Sequence, residues 1–452
     1  MMAQPHYARR LGTFSATMIV VGGIIGAGIF LSPAEVARRV GHPTLILAAW
    51  LLGGVIALIG AVCFAELAAR MPKAGGSYVY LRAAFGPLPA FLFGWTLLLI
   101  IATGATAAVA MIFANYSVSF LGIAPTWAKP LAIAAIVFLA GINYRGVVPG
   151  AVTQNLFVVL KLLPLGVLAV LGLVFVQGDP IGPFVGETFL PGSRGAAVLA
   201  LAAGLGPVLF AFGGWQQLNF VADEITDPRR TIPRALLVGI AIVITVYLSV
   251  NVAYLWGLGA SGLAGSRAPA ADTMYAVFGD RGQRLIALGI IVSTFGFLDL
   301  VLLVTPRVFQ AMAASGQLPT RLARLHPHYK TPVSGIVFQA VWASVLAGSN
   351  TYGALLDYVV FGDWIFFGAT VATLFVFRSR EGTKSAGDDT GGYRLPGYPI
   401  VPALFVTAAA YVVVGSILSN PVNAAIGGAL IASGVPVYLL ANRGGEAEPP
   451  PS

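Results

Sequence analysis

The residues of this chain that could do chemistry are few, and many of them are glycines. The stretch Val21 to Ser32 reads V-G-G-I-I-G-A-G-I-F-L-S and places Gly22, Gly23, Gly26 and Gly28 inside a long apolar run. Such a cluster frees a helix to unwind. In hydrocarbon the N–H and C=O groups so exposed are tolerated only where they line a cavity or hold a ligand. A second stretch of the same kind lies far downstream, Leu209 to Gln217, L-F-A-F-G-G-W-Q-Q, preceded by Gly204, Gly206 and Pro207. The alternative for either cluster is close helix packing through small residues. What favours binding is the pair, since glycine-interrupted helices at matching positions of two halves point to a ligand site at a repeat interface.

Lys161, Asp299 and Asp363 are charges that stand well inside apolar runs. On insertion scales each costs on the order of 2.5 to 3.5 kcal/mol at a helix centre, so each should find a partner. Lys161 is too central to reach the interface. Asp299 precedes Arg307 by two helical turns, which places it in the bundle as well. Catalytic groupings are missing. His6, His42, His326 and His328 all fall outside the apolar runs, Cys63 is the single cysteine, and no G-x-x-x-x-G-K-[ST] loop occurs. With no nucleophile beside a base and no metal cluster, an enzyme or an ATP-driven pump is excluded, and no cofactor is expected.

The elements that must position these residues follow from composition. A chain of 452 residues that is 58% hydrophobic and 10% charged cannot cover a soluble globule, so it lies in a lipid bilayer. Taking about 20 residues per crossing, twelve helical runs can be drawn: 13–37, 43–69, 87–115, 128–143, 148–176, 196–221, 235–258, 285–305, 333–348, 354–377, 398–418 and 423–440. The first has no cleavage site and is too long for a signal peptide. The two glycine breaks fall in runs one and six. The expected fold is therefore an all-α polytopic membrane protein with a five-plus-five inverted repeat and two trailing helices. Residues 1–12 form a cytoplasmic N-terminus, 13–440 a single domain (repeat one about 13–176, repeat two about 196–377, the trailing pair about 398–440) and 441–452 a cytoplasmic tail. Ser379 to Gly392 and Gly444 to Ser452 are polar and read as linker and tail. Of the 26 lysines and arginines, eighteen fall in one set of connecting segments, seven in the other and Lys161 within a run. That bias puts both termini in the cytoplasm. It also accounts for the net charge of +9, leaving no reason to invoke nucleic acid.

Several stretches resemble the amino acid, polyamine and organocation superfamily and, within it, the L-type amino acid transporter family in its bacterial form. They are Gly22 to Phe30, Phe64 to Leu67 with Pro72 to Tyr78, Phe210 to Trp215 running into Asn219 to Glu224, and Pro228 to Pro233. Asn251 to Tyr254, Gly316 to Pro319, Asp363-Trp364 and Gly434 to Tyr438 complete the set. The resemblance implies a secondary transporter of amino acids in the plasma (inner) membrane, sodium-independent and exchanging neutral L-amino acids by alternating access. Proton-coupled symport, or cationic amino acid or polyamine substrates, is the alternative. Animal members joined to a glycoprotein subunit carry a cysteine between the third and fourth spans. Tyr116 to Trp127 has none, so no disulfide-linked heavy chain is expected. An ion channel would show a repeated pore signature or a ring of acids, and none is present.

A zwitterionic ligand brings a carboxylate suited to free N–H groups at a helix N-terminus and an ammonium suited to carbonyls at a helix C-terminus. The carboxylate is accordingly assigned to Ala27, Gly28 and Ile29, with Ile25 and Gly26 in the same break, and the ammonium to carbonyls near Gly23, Ile24 and Phe210. Selectivity falls to Gly213, Trp215, Gln216, Gln217 and outer parts of the third and tenth spans, with Phe210 as a lid. Coupling and gating fall to Lys161, Asp299, Phe210 and Asp363. The resemblance further implies that Lys161 stands where sodium-coupled relatives hold sodium, bonding the first break and Asp299. Glu66, Asp223 and Glu224 are read as solvated salt bridges or a gate beside Arg70, Arg229 and Arg230.

Overall fold

The computed structural model describes residues 7–175, 194–349, 352–381 and 392–442. Most of the expected linker and all but the first two residues of the expected tail lie outside these residues, although Ser379 to Glu381, Ala441 and Asn442 prove to be helical. Run one is two helices, α1 (Thr13–Ile24) and α2 (Gly28–Val40), bent by 42° across the glycine cluster. Run two is α3 (Pro43–Arg70), followed by a short α4 (Ser77–Phe85). Run three is α5 (Pro87–Thr96), a π-helical turn over Leu97–Ile101 and α6 (Ala102–Leu121). Then come α7 (Ala128–Tyr144) and α8 (Val147–Phe175). Run six is α9 (Arg194–Ala211), a break, and the 3-10 segment Trp215–Glu224. α10 (Pro228–Gly265) is far longer than the apolar run 235–258 inside it. The rest are α11 (Pro269–Phe278), α12 (Asp280–Val304), α13 (Pro306–Ala314), α14 (Val333–Gly348), α15 (Tyr352–Glu381), α16 (Ile400–Ser419), α17 (Pro421–Ala432) and α18 (Gly434–Asn442).

Proline opens several of these helices, at Pro43, Pro87, Pro228, Pro269, Pro306 and Pro421. There its missing N–H costs nothing and its fixed φ suits the first turn. α4, α11 and α13 escaped the hydropathy reading because each is too short to cross a bilayer. Among the described residues ten helical spans are long and apolar enough to do so, and the bent first pair makes eleven. Counting α14 as well, apolar but 16 residues long, gives twelve among the described residues. Among the described residues the only β pairing is the isolated bridge Leu11 to Ile225.

Elements five spans apart pack on one another: α3 on α10, α6 on α12, α7 on α14, and α1 on the segment Trp215–Glu224. A pseudo-two-fold axis in the membrane plane between inverted repeats produces this pattern. Two aromatic groups pin the centre. Trp50, Phe212 and Tyr247 pack with ring centroids 4.9 to 6.0 Å apart. Trp215 packs against Phe64, Phe367 and Phe405 at 4.8, 5.8 and 6.1 Å.

The acids near the helix ends are more buried than expected. Glu66 is fully buried and accepts from Arg378 Nη2 (2.8 Å), Arg70 Nη2 (2.6 Å) and the Leu395 N–H (2.9 Å), tying α3 to α15 and to the segment before α16. Glu224 pairs with the buried Arg307 of α13 at 2.7 Å rather than with Arg229 or Arg230. Asp223 instead accepts from the Ala74 N–H at 2.9 Å. Solvated salt bridges are therefore the wrong description of Glu66 and Glu224. A buried pair has to be satisfied in full, because either member alone would be an uncompensated charge.

Candidate binding site at two broken helices

The two breaks meet backbone to backbone. A Cβ on Gly23 would stand 2.7 Å from the Gly214 carbonyl oxygen, and one on Gly214 would stand 2.1 Å from the Gly23 oxygen. Gly214 also has φ +108°, where side chains are strained. Gly28 has no such conformation: its missing Cβ matters because one would lie 2.9 Å from Ala211 Cα, where α2 starts against the end of α9. A side chain at Gly28 would therefore collide with the neighbouring helix end.

Unwinding leaves both kinds of backbone group. Among the described residues the N–H groups of Ala27, Gly28 and Ile29 bond no protein acceptor, whereas Phe30 N bonds the Ala27 carbonyl at 3.1 Å. The carbonyl side of the break is held by three side chains. Lys161 Nζ donates to Ile25 O at 2.6 Å and Gly22 O at 3.1 Å. Ser293 Oγ reaches Gly26 O at 3.3 Å. The Tyr247 hydroxyl lies 3.1 Å from Ile24 O and 3.0 Å from Ala211 O, so one phenol bridges the carbonyl ends of both broken helices. Tyr247 and Ser293 went unnoticed in the sequence because nothing marks a tyrosine or serine in an apolar helix as facing a break.

Asp299 does not meet Lys161. Its Oδ1 accepts from Asn143 Nδ2 at 2.8 Å and its other oxygen has no partner. Among the described residues no salt bridge joins it to any cation, which corrects the expected Lys161 to Asp299 bond. The physical reason is that the carbonyls of Gly22 and Ile25, at the end of α1 and in the break, already offer the ammonium its acceptors.

Beside the breaks lies a cavity of about 150 Å³. Of the residues singled out in the sequence, Gly23, Ile24, Gly26, Ala27, Gly28, Phe210, Gly213, Gln216, Gln217 and Asp363 line it. Ile25, Ile29 and Trp215 do not. Ile25 and Ile29 are fully buried and Trp215 is 2% exposed inside its aromatic cluster. A helix turns its side chains through 100° per residue, so neighbours in a binding stretch cannot all face one space. Gln216 Oε1 accepts from the Gly214 N–H at 3.1 Å, which makes it a brace of the break, while Gln217 Oε1 is left unpartnered. Phe210 borders this cavity and also a second hollow beside Arg39, Tyr411 and Asn423, so it stands as a wall between them. Sequence reading missed Phe93, Phe297 and Thr305 in the cavity wall; their spans had been singled out, but nothing local marks which side chains of a span face the cavity.

The sequence signature of the amino acid permease family matches residues 11–441. The chain belongs to that family. This permease is 32% identical to the Large neutral amino acids transporter small subunit 2 of Mus musculus over 96% of its own length and 81% of the mouse protein. It is 32% identical to the Serine/threonine exchanger SteT of Bacillus subtilis, covering 95% of the permease and 96% of SteT. The Asc-type amino acid transporter 1 of Mus musculus is 32% identical over 96% and 81% of the two chains. The permease is thus a multi-pass membrane protein of a transporter family.

Proposed function

We propose that this permease exchanges small neutral L-amino acids across the plasma (inner) membrane, without sodium, by alternating access around the two breaks. The observation that carries the reading is the meeting of Gly23 and Gly214 beside free N–H groups at Ala27 and Gly28, two residues of the cavity wall, and at Ile29 next to them. A carboxylate suits those donors, and an ammonium suits the carbonyls of α1 and α9. The volume favours a small substrate, since a void of about 150 Å³ takes a body the size of benzene. The relatives are named as amino acid transporters, one as a serine/threonine exchanger, which supports exchange of this class. Lys161 occupies the carbonyls that a sodium ion would need, which supports sodium independence. Both termini face the cytoplasm in this reading. With its one cysteine, Cys63, fully buried, the permease works without a disulfide-linked subunit.

The test is uptake of labelled amino acids into proteoliposomes. Uptake should require an internal amino acid and be indifferent to sodium. Stimulation by a sodium gradient would contradict the reading, and uptake driven by a pH gradient into empty vesicles would replace exchange by proton symport.

A further inference from the structure

Five arginines gather where the chain enters α1 and α10. Arg9 and Arg10 precede α1, and Arg229, Arg230 and Arg234 stand in the first two turns of α10; all five are exposed. The backbone brings the two groups together. The Arg10 N–H donates to the Glu224 carbonyl and the Thr226 N–H to that of Leu11, each at 2.9 Å, and α10 begins just beyond, at Pro228. Among the described residues no hydrogen bond or ion pair engages the side chains of Arg9, Arg10, Arg229 or Arg234, and Arg230 has only Asp227, 3.9 Å away and itself 62% exposed. The neighbouring acids are committed elsewhere, Glu224 to Arg307 and Asp223 to the Ala74 N–H. Guanidinium groups crowded at a surface repel one another, so this patch calls for an anion.

What adjoins the patch identifies the anion. Arg230, Arg234 and Val238 recur every four residues along one face of α10, so charge gives way within about 12 Å to an apolar side chain that is 51% exposed. Phe14, in the first turn of α1, is 61% exposed. A soluble anion has no use for these two side chains, whereas a phospholipid lays its acyl chains along them with its head group on the arginines. We infer that the patch binds an anionic phospholipid, its phosphodiester held by guanidinium forks that match two phosphate oxygens at once. The leaflet is the inner one in the topology proposed above. Because Arg10 and Leu11 also fasten the start of α1 to the segment after the second break, the lipid braces the helix that carries the first break.

The experiment is the melting temperature of the permease in a neutral detergent, titrated with phosphatidylglycerol, phosphatidylcholine or glycerol 3-phosphate. Phosphatidylglycerol should raise it saturably, and the other two should not at the same concentrations. An arginine near an anionic surface is worth on the order of fivefold in affinity, so Arg229→Gln/Arg230→Gln/Arg234→Gln should need roughly tenfold or more phosphatidylglycerol for half the effect. The corresponding lysine replacements, which keep the charge, should retain most of the response. Arg9→Gln/Arg10→Gln, in the other segment, should show a loss of the same kind and serves should the triple variant not fold. Arg321→Gln/Arg324→Gln, which removes exposed charge between the eighth and ninth spans, should behave as native. No response of the native protein, an equal response to phosphatidylcholine, or an unchanged response in the glutamine variants of the patch overturns the proposal. So does an equal loss in Arg321→Gln/Arg324→Gln, which would mean bulk charge attraction, and so does a full response to glycerol 3-phosphate, which would mean a free-anion site. Binding is read here without transport, so its failure leaves the exchange reading untouched.

Discussion

At the scale of single residues, the site is built more by what lacks a side chain than by what has one. Gly23 and Gly214 let two broken helices touch, and Lys161 then caps the carbonyls that the contact exposes. Lys161→Ala should leave the Gly22 and Ile25 carbonyls buried and unpaired, at about 1–3 kcal/mol each. We expect a folded protein, eluting as the native one does on gel filtration, with a lowered melting temperature and no measurable exchange. Near-native exchange by that variant would show that the ammonium is not needed to hold the break.

At the scale of elements, the end of run six is fastened at three points. The N–H groups of Arg10 and Leu11 both donate to the Glu224 carbonyl at 2.9 Å, Thr226 N returns a bond to the Leu11 carbonyl at 2.9 Å, and Glu224 holds Arg307 of α13. The Arg307 guanidinium also donates to the Leu303 carbonyl and lies over the Tyr7 ring, 6.0 Å from its centroid. Segments before α1, after the second break and after α12 are thus bound at one end of the bundle. Removing one member of a buried pair strands the other, at roughly 3–5 kcal/mol. Arg307→Met and Glu224→Leu should each lower the melting temperature sharply in detergent. The double variant should be destabilised by less than the two single effects together. Additive losses would show that the two side chains do not act as a pair.

At the scale of the whole molecule, orientation rests on the charge bias of the connecting segments, and the nearly cysteine-free sequence offers a clean test. Cys63 is buried, so the native permease should not react with a membrane-impermeant maleimide applied to whole cells. Trp127→Cys, at an exposed position between the third and fourth spans, should be labelled from outside. Arg321→Cys, at an exposed position between the eighth and ninth spans, should be labelled only after permeabilisation. The reverse pattern would invert the topology.

The sequence by itself determined that the chain is a helical membrane protein and that runs one and six break. These are local facts, set by run length, by glycine density and by the cost of bare backbone in hydrocarbon. It also marked Lys161 as a buried charge in need of a partner, and the family resemblance named the first break as that partner. Rotation of each helix and the choice among equally needy partners were left to the tertiary structure. Trp215 and Gln217 stand two residues apart, yet one is locked in an aromatic cluster and the other faces the cavity. Asp299 and Glu224 found Asn143 and Arg307, which lie 156 and 83 residues away. Tyr247, which bridges both breaks with one hydroxyl, has no mark in the sequence, because its role exists only where two distant carbonyl ends are packed side by side.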